Sequence, residues 1–204
     1  MGRKKRRHLQ SSAQLKREVA NSKRARITRI IYSFIMVMVA FVILGVSFMV
    51  LRTFFASSLY HAFIYDWIGT ALLYLAALTL IAFFVYTSLV ITIKNPQKVG
   101  KRQLFYFGLT GVICFTIGVF IVPQLSSLTI NSVGDMKDYA DGVMHVDDFK
   151  VVDVYTGGHS TIALITTDER DLTLLINNYQ IEEGTTYRFT YMERTGNILN
   201  VEEK

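Results

Sequence analysis

Hydrophobic positions in this chain are gathered into three long runs without a charged residue: Ile30–Leu51, Trp67–Ile93 and Gln103–Gly134. A bilayer core satisfies backbone polar groups only in helices or closed barrels, and about 20 apolar residues suffice for a helical crossing. The pattern therefore predicts transmembrane helices over Ile30–Leu51, Trp67–Ile93 and Leu104–Val122. The second exceeds the usual hydrocarbon thickness and is expected to tilt or project. Pro123 closes the third span, and 123–148 reads as a connector, in which Leu125–Val133 is still apolar and either extends the helix or lies on the membrane surface, and Ser132–Gly142 reads as a short helix with an acidic start.

From Phe149 the period changes from helical to alternating. Strands are expected at Phe149–Thr156, Thr161–Thr167, Leu172–Asn177, Thr185–Met192 and Asn197–Glu202. In the fourth, Thr185, Tyr187, Phe189 and Tyr191 share one face, read as the core face. Turn residues separate the strands: Gly157-Gly158, Asp168–Asp171, Glu183-Gly184 and Thr195-Gly196-Asn197. The fold class is thus a membrane protein of the α + β kind: three transmembrane helices, then a small antiparallel β-domain of about five strands (149–204), either a small sheet or a partly open barrel, for which an oligonucleotide/oligosaccharide-binding-like barrel is the nearest shape. By strand count and order this arrangement resembles the NfeD-like membrane proteins, which append such a barrel to membrane helices. So small a domain buries a low fraction of its surface and is expected to lean on the helices, the connector or a partner.

Charge adds direction. Residues 1–29 hold eleven Lys/Arg and one acid, Glu18, whereas residues 123–204 hold six Lys/Arg and fourteen Asp/Glu. The turn Lys94–Arg102 (KNPQKVGKR) carries four positive charges and no acid. Basic segments stay on the cytoplasmic side, so the N-terminus and 94–102 are expected inside, and 52–66 and the β-domain outside. Arg3, Lys4, Lys5, Arg6, Arg7, Lys98, Lys101 and Arg102 are the expected lipid-headgroup contacts. Ser12–Ala20 reads as a short helix in the basic tail. Arg6 stands where a myristoylation signal needs Ser or Thr. The first run is longer than the core of a secretory signal, so it is read as a retained helix, and Ala56-Ser57-Ser58 matches a cleavage site only loosely. Arg52–Asp66 reads as an outer loop with interfacial Tyr60, Tyr65 and Trp67, and with His61 and Asp66 solvated.

The candidate chemistry is sparse. Gly108, Gly111, Cys114 and Gly118 fall on one face of the third span and form a helix-packing seam, against the first two helices or in an oligomer. Gly45 and Ser47 are small positions in the first span. Cys114, the single cysteine, excludes an intramolecular disulfide. The spans contain no Asp, Glu, Lys, Arg or His in their interiors, which argues against an ion-coupled carrier. Gly158-His159-Ser160-Thr161 lacks the second glycine of a nucleophile elbow, because Ile162 stands there. His145 and His159 have no zinc-type spacing, and Asp168–Asp171 lacks the glycine of a calcium loop. The acidic β-domain disfavours nucleic acid. No catalytic residue, cofactor or metal site is assigned. The expected function is a non-enzymatic accessory or interaction module in a bacterial cytoplasmic membrane. Its partners would be membrane lipids and a protein or second copy met through the third helix. A subunit of a transport or secretion assembly is the alternative.

Overall fold

The computed structural model describes residues 2–94, 99–156, 162–176 and 179–204, with the backbone alone described for 2–21, 23, 24 and 94. Three helices lead the chain: α1 (Gly2–Phe55), α2 (Leu59–Leu89) and α3 (Lys101–Ala140). A π-helical turn, Val90–Lys94, extends α2. Each of the three contains a segment long and apolar enough to cross a membrane. Packed against both others, α2 is the middle helix. It meets α1 where Gly45 and Gly69 face each other: a Cβ on either would lie 3.1 Å from the other's carbonyl oxygen.

All three helices overrun their apolar runs. The segment 52–66, expected as a loop, is helical except at 56–58. Ser58 caps α2, its Oγ accepting the His61 N–H at 3.2 Å in an extended backbone conformation. Arg52 at the end of α1 pairs with Asp66 near the start of α2, so both polar residues are accommodated inside helices. The short helix expected over Ser12–Ala20 belongs to the continuous α1.

Pro123, expected to end the third span, lies within α3. An internal proline costs about 3 kcal/mol in a lost hydrogen bond and a steric clash. The turns beyond it are held by packing that offsets this: Ser132 and Asp135 are buried, and Met136 and Tyr139 pack beneath the sheet. The expected connector 123–148 is therefore mostly helix, and it ends where Gly142 takes φ +75°.

Five strands follow: β1 (His145–Thr156), β2 (Ala163–Thr167), β3 (Asp171–Leu174), β4 (Thr186–Tyr191) and β5 (Ile198–Glu203). β1 starts four residues earlier than its alternation suggested. The sheet is open and antiparallel, in the order β3-β2-β1-β4-β5. β1 changes partner midway, pairing β4 over His145–Lys150 and β2 over Val151–Thr156, with a bulge between Val151 and Asp153. One isolated parallel bridge, Thr173 to Asn197, joins the edge strand β3 to the residue before β5.

The buried face carries Phe149, Val151, Ile165, Leu172, Leu174 and the β4 aromatics Tyr187, Phe189 and Tyr191. Leu59, in the first turn of α2, enters this core. A second cluster of Ala62, Phe63, Leu175 and Met192 seals the sheet against α2, with Met136 and Tyr139 of α3 at its side. Tyr60 and Tyr139 stack with ring centroids 3.7 Å apart. The small domain thus completes its apolar burial on the ends of two helices.

Candidate functional site

The β4–β5 turn is fastened to α3 by one carboxylate. Asp135, 1% exposed, accepts the Arg194 N–H at 3.1 Å, the Thr195 N–H at 2.9 Å and the Thr195 hydroxyl at 2.6 Å. Backbone donors saturate the buried charge, as a buried carboxylate requires. One turn on, Asp138 accepts Arg194 Nε and Nη2 at 3.2 and 3.1 Å. The Arg194 side chain lies across Gly134, where an added Cβ would come within 2.7 Å of Nε. Gly134, Asp135 and Asp138 therefore form a clasp for one hairpin turn.

Beside the clasp is a cavity of about 420 Å³ between α2, α3, β3 and the β4–β5 turn, within the ~300–1,000 Å³ range of small-ligand sites. Phe63, Asp66 and Trp67 line it from α2, and Ser127, Asn131 and Ser132 from α3. Thr173, Arg194 and Asn197 close it from the sheet side. Asp66 is bound by Arg52, whose side chain is 10% exposed. Among the described residues, Ser132 Oγ, Trp67 Nε1 and Arg52 Nε are buried without a hydrogen-bond partner. Ser132 is the more telling case. Ser126 and Thr129 on the same helix each donate to the carbonyl four residues back, at 2.9 and 2.8 Å, but Ser132 makes no such bond.

A second polar group lies on the sheet. Arg170 donates to both Glu193 oxygens, at 3.0 and 3.3 Å, and sits 4.9 Å over the Tyr191 ring. Tyr191 donates its hydroxyl to Asp147 at 2.8 Å, and burial with this bond pushes its pKa up to about 12. The Arg170 hydrogen bonds hold the Glu193 carboxyl below its usual value. His145 Nδ1 lies 3.6 Å from Glu193. Asp148, bonded first by Arg188 and then by Lys204, has its pKa lowered to about 2. Tyr191–Asp147 and Arg188–Asp148 link the neighbouring strands β4 and β1, whereas Arg170–Glu193 ties the β2–β3 turn to the end of β4.

The glycines predicted as a seam are found along α2. A Cβ at Gly111 would lie 2.7 Å from Ser88 Cβ, one at Gly118 3.2 Å from Ile81, and one at Gly108 3.8 Å from Thr92. Cys114 is free and half-buried. Lys101 and Arg102 are exposed in the first turn of α3, where Arg102 lies 5.9 Å from the Tyr106 ring centroid. The side chains of Arg3, Lys4, Lys5, Arg6 and Arg7, all of Lys98 and His159, and the turns Asn95-Pro96 and Gly157-Gly158 lie outside the described residues. His61, expected to be solvated, is exposed and lies within hydrogen-bond distance of Ser57 and Ser58. Asp66, expected to be solvated as well, is instead ion-paired.

Sequence reasoning missed Arg52, Asp135 and Arg194. A signal existed for the first: Arg52 and Asp66 are the only Lys, Arg, Asp or Glu residues between Arg29 and Lys94, and they carry opposite charge. Asp135 had no comparable signal, since its partners lie 59 and 60 residues downstream. Comparison with protein-family models, curated proteins and solved structures finds no match to this chain.

Proposed function

We propose that the chain is a non-enzymatic integral membrane protein that presents its β-domain to a protein or glycan partner outside the cytoplasmic membrane. The observation that carries this reading is an exposed apolar strip on the sheet. Tyr155 and Leu164 stand directly opposite each other on β1 and β2, 67% and 42% exposed, and Val152, at the β1 bulge, is 56% exposed. Exposed apolar groups gathered on one face mark interaction surfaces. The Asp135 clasp supports the same reading, because it holds the sheet rigidly on the helix ends. The strand order, with β1 central and a parallel bridge from β3 towards β5, favours a partly open barrel of the oligonucleotide/oligosaccharide-binding kind. Lys101 and Arg102 oppose the positive end of the α3 dipole, with no acid in that turn. Anionic headgroups on the cytoplasmic side would relieve that repulsion.

Photo-crosslinking amino acids at Tyr155 and Leu164, and separately at Phe105 and Phe115 on α3, test the reading in cells. Discrete adducts from the sheet positions are expected. Adducts from the α3 positions alone would favour a transport or secretion subunit assembled through its helices, and adducts from neither pair would overturn both readings.

A further inference from the structure

The juxtamembrane cavity combines three properties that together specify a ligand class. Its charges are already compensated. Asp66 is neutralised by Arg52, and Arg194 by Asp138 with Asp135 at 3.9 Å. Among the described residues, no uncompensated cation lines the wall to hold a phosphate, and no uncompensated anion to hold an amine. Its remaining polar lining is hydroxyl and amide: Ser127, Asn131, Ser132, Thr173 and Asn197. Such groups both donate and accept, which suits a polyol. Ser132, buried and unpartnered, and Trp67, whose indole N–H is buried without a partner, leave hydrogen-bonding capacity unused. Buried polar groups of this kind are costly unless a ligand or water satisfies them. Phe63, Trp67 and Leu175 add apolar surface for the C–H face of a sugar ring.

The third property is the position of the cavity. The helices α2 and α3 run antiparallel, with Thr92 beside Gly108, Ser88 beside Gly111, Ile81 beside Gly118 and Tyr74 bonded to Gln124. Trp67 and Asn131 lie further along the same line. Beyond the Tyr74–Gln124 layer, away from the cavity, a groove of about 530 Å³ runs between these helices, lined by apolar residues that include Leu78, Ile81, Val85, Phe115 and Val119. A polar cavity and an apolar groove, about one helical turn apart on α3 (Pro123 to Ser127) and about three on α2 (Trp67 to Leu78), match the division of a lipid into headgroup and acyl chain.

We propose that the cavity holds the uncharged, hydroxyl-bearing headgroup of a glycosyl lipid, with an acyl chain in the α2–α3 groove. This rests on the membrane-spanning part of the reading above and is independent of the partner at the Tyr155–Leu164 strip.

Trp67 is the only tryptophan in the chain and lines the cavity, so it reports occupancy without labelling. The full-length protein is reconstituted into nanodiscs of phosphatidylcholine doped with glucosyl-diacylglycerol, diacylglycerol or phosphatidylglycerol. Trp67 emission is followed, and native mass spectrometry counts retained lipid. Glucosyl-diacylglycerol is expected to shift the emission and to be retained; the other two are not. Asn131→Ala with Thr173→Val is expected to weaken retention about tenfold, as loss of two neutral hydrogen bonds implies. Val119→Trp, read by mass spectrometry of retained lipid rather than by emission, fills the groove and is expected to weaken retention without touching the cavity. Circular dichroism and melting confirm that each variant is folded. Equal response to diacylglycerol shows that the headgroup is not read, and preference for phosphatidylglycerol contradicts the charge argument; either overturns the proposal. So does unchanged retention in both variants, or full displacement by soluble methyl glucoside. Failure of the chain to enter nanodiscs overturns the membrane reading itself, whereas entry without a glycolipid response overturns the lipid proposal alone.

Discussion

Asp135 is the buried half of the polar linkage between sheet and helix, with Asp138 beside it on the surface. Its three hydrogen bonds come from two main-chain N–H groups and one hydroxyl of the β4–β5 turn. Each bond to a charged acceptor contributes about 1.5–3 kcal/mol, and a buried donor left without its acceptor adds a further cost. Asp135→Ala is expected to raise hydrogen exchange of the Arg194 and Thr195 amides by about 100-fold, equivalent to ~3 kcal/mol. Exchange in the strand pairing of β1 with β2, far from the clasp, should change little. Uniform acceleration across the sheet would mean that the clasp is part of global stability and not a local fastening. Asp148 offers a second test, by pH. Its folded pKa of about 2 lies below the ordinary 3.8, because Arg188 and Lys204 bond its ionised form. A depressed carboxyl stabilises the fold above its unfolded pKa, and that contribution fades as pH falls from about 3.8 through about 2. Acid titration of the near-ultraviolet circular dichroism should show a component in this window that Asp148→Asn removes. The site is exposed, so the component should be small and weakened by salt.

At the scale of elements, the seam on α3 is the feature to test. Ser88 sits so close to Gly111 that a methyl group there would meet it at 2.7 Å. Gly111→Val is therefore expected to prise α2 from α3 and lower the thermal midpoint in detergent by several degrees. The bulk at Gly108, with nothing nearer than 3.8 Å, should be tolerated better. A cysteine pair at Ser88 and Gly111, in a Cys114→Ala background, is expected to oxidise within one chain, with a sub-ångström adjustment towards normal disulfide spacing. Oxidation to a covalent dimer would place the seam between copies instead. Small residues three and four apart mark one helix face, which is why Gly108, Gly111, Cys114 and Gly118 could be grouped from the sequence. The three apolar runs were legible because nothing else in the chain is so long and uncharged. The helix ends were not. Pro123 and the mixed polarity of 52–66 both look like terminators, and the partners that keep those segments helical are remote: Tyr139 for Tyr60, and Thr195 for Asp135. The β4 core face was read correctly, as Tyr187, Phe189 and Tyr191 are all buried, because strict alternation depends on little beyond the strand itself. The cavity left no trace in the sequence, since its walls come from five separated segments.

At the scale of the whole molecule, sheet and helices behave as one piece, so the side of the membrane on which the sheet lies decides which compartment the protein serves. Two apolar clusters and the clasp tie the sheet to the end of α2 that follows Ser58 and the end of α3 that precedes Asp141. The opposite ends of the same helices carry the basic turn with Lys101 and Arg102. The axial arrangement therefore separates charge: acidic sheet at one end, basic turn and N-terminal segment at the other. The positive-inside rule predicts the sheet outside the cytoplasm. Val152→Cys in a Cys114→Ala background tests this, because Val152 is 56% exposed on the sheet and takes no part in clasp, cavity or core. Labelling by a membrane-impermeant thiol reagent in intact cells is expected, at the rate seen for a known external cysteine. A cysteine at Lys101 in the same background should label only after lysis. The reverse pattern would turn the molecule over and place the Tyr155–Leu164 strip before cytosolic partners. The glycolipid site would then face the inner leaflet, which asymmetric nanodiscs or inside-out vesicles would reveal by Trp67 emission.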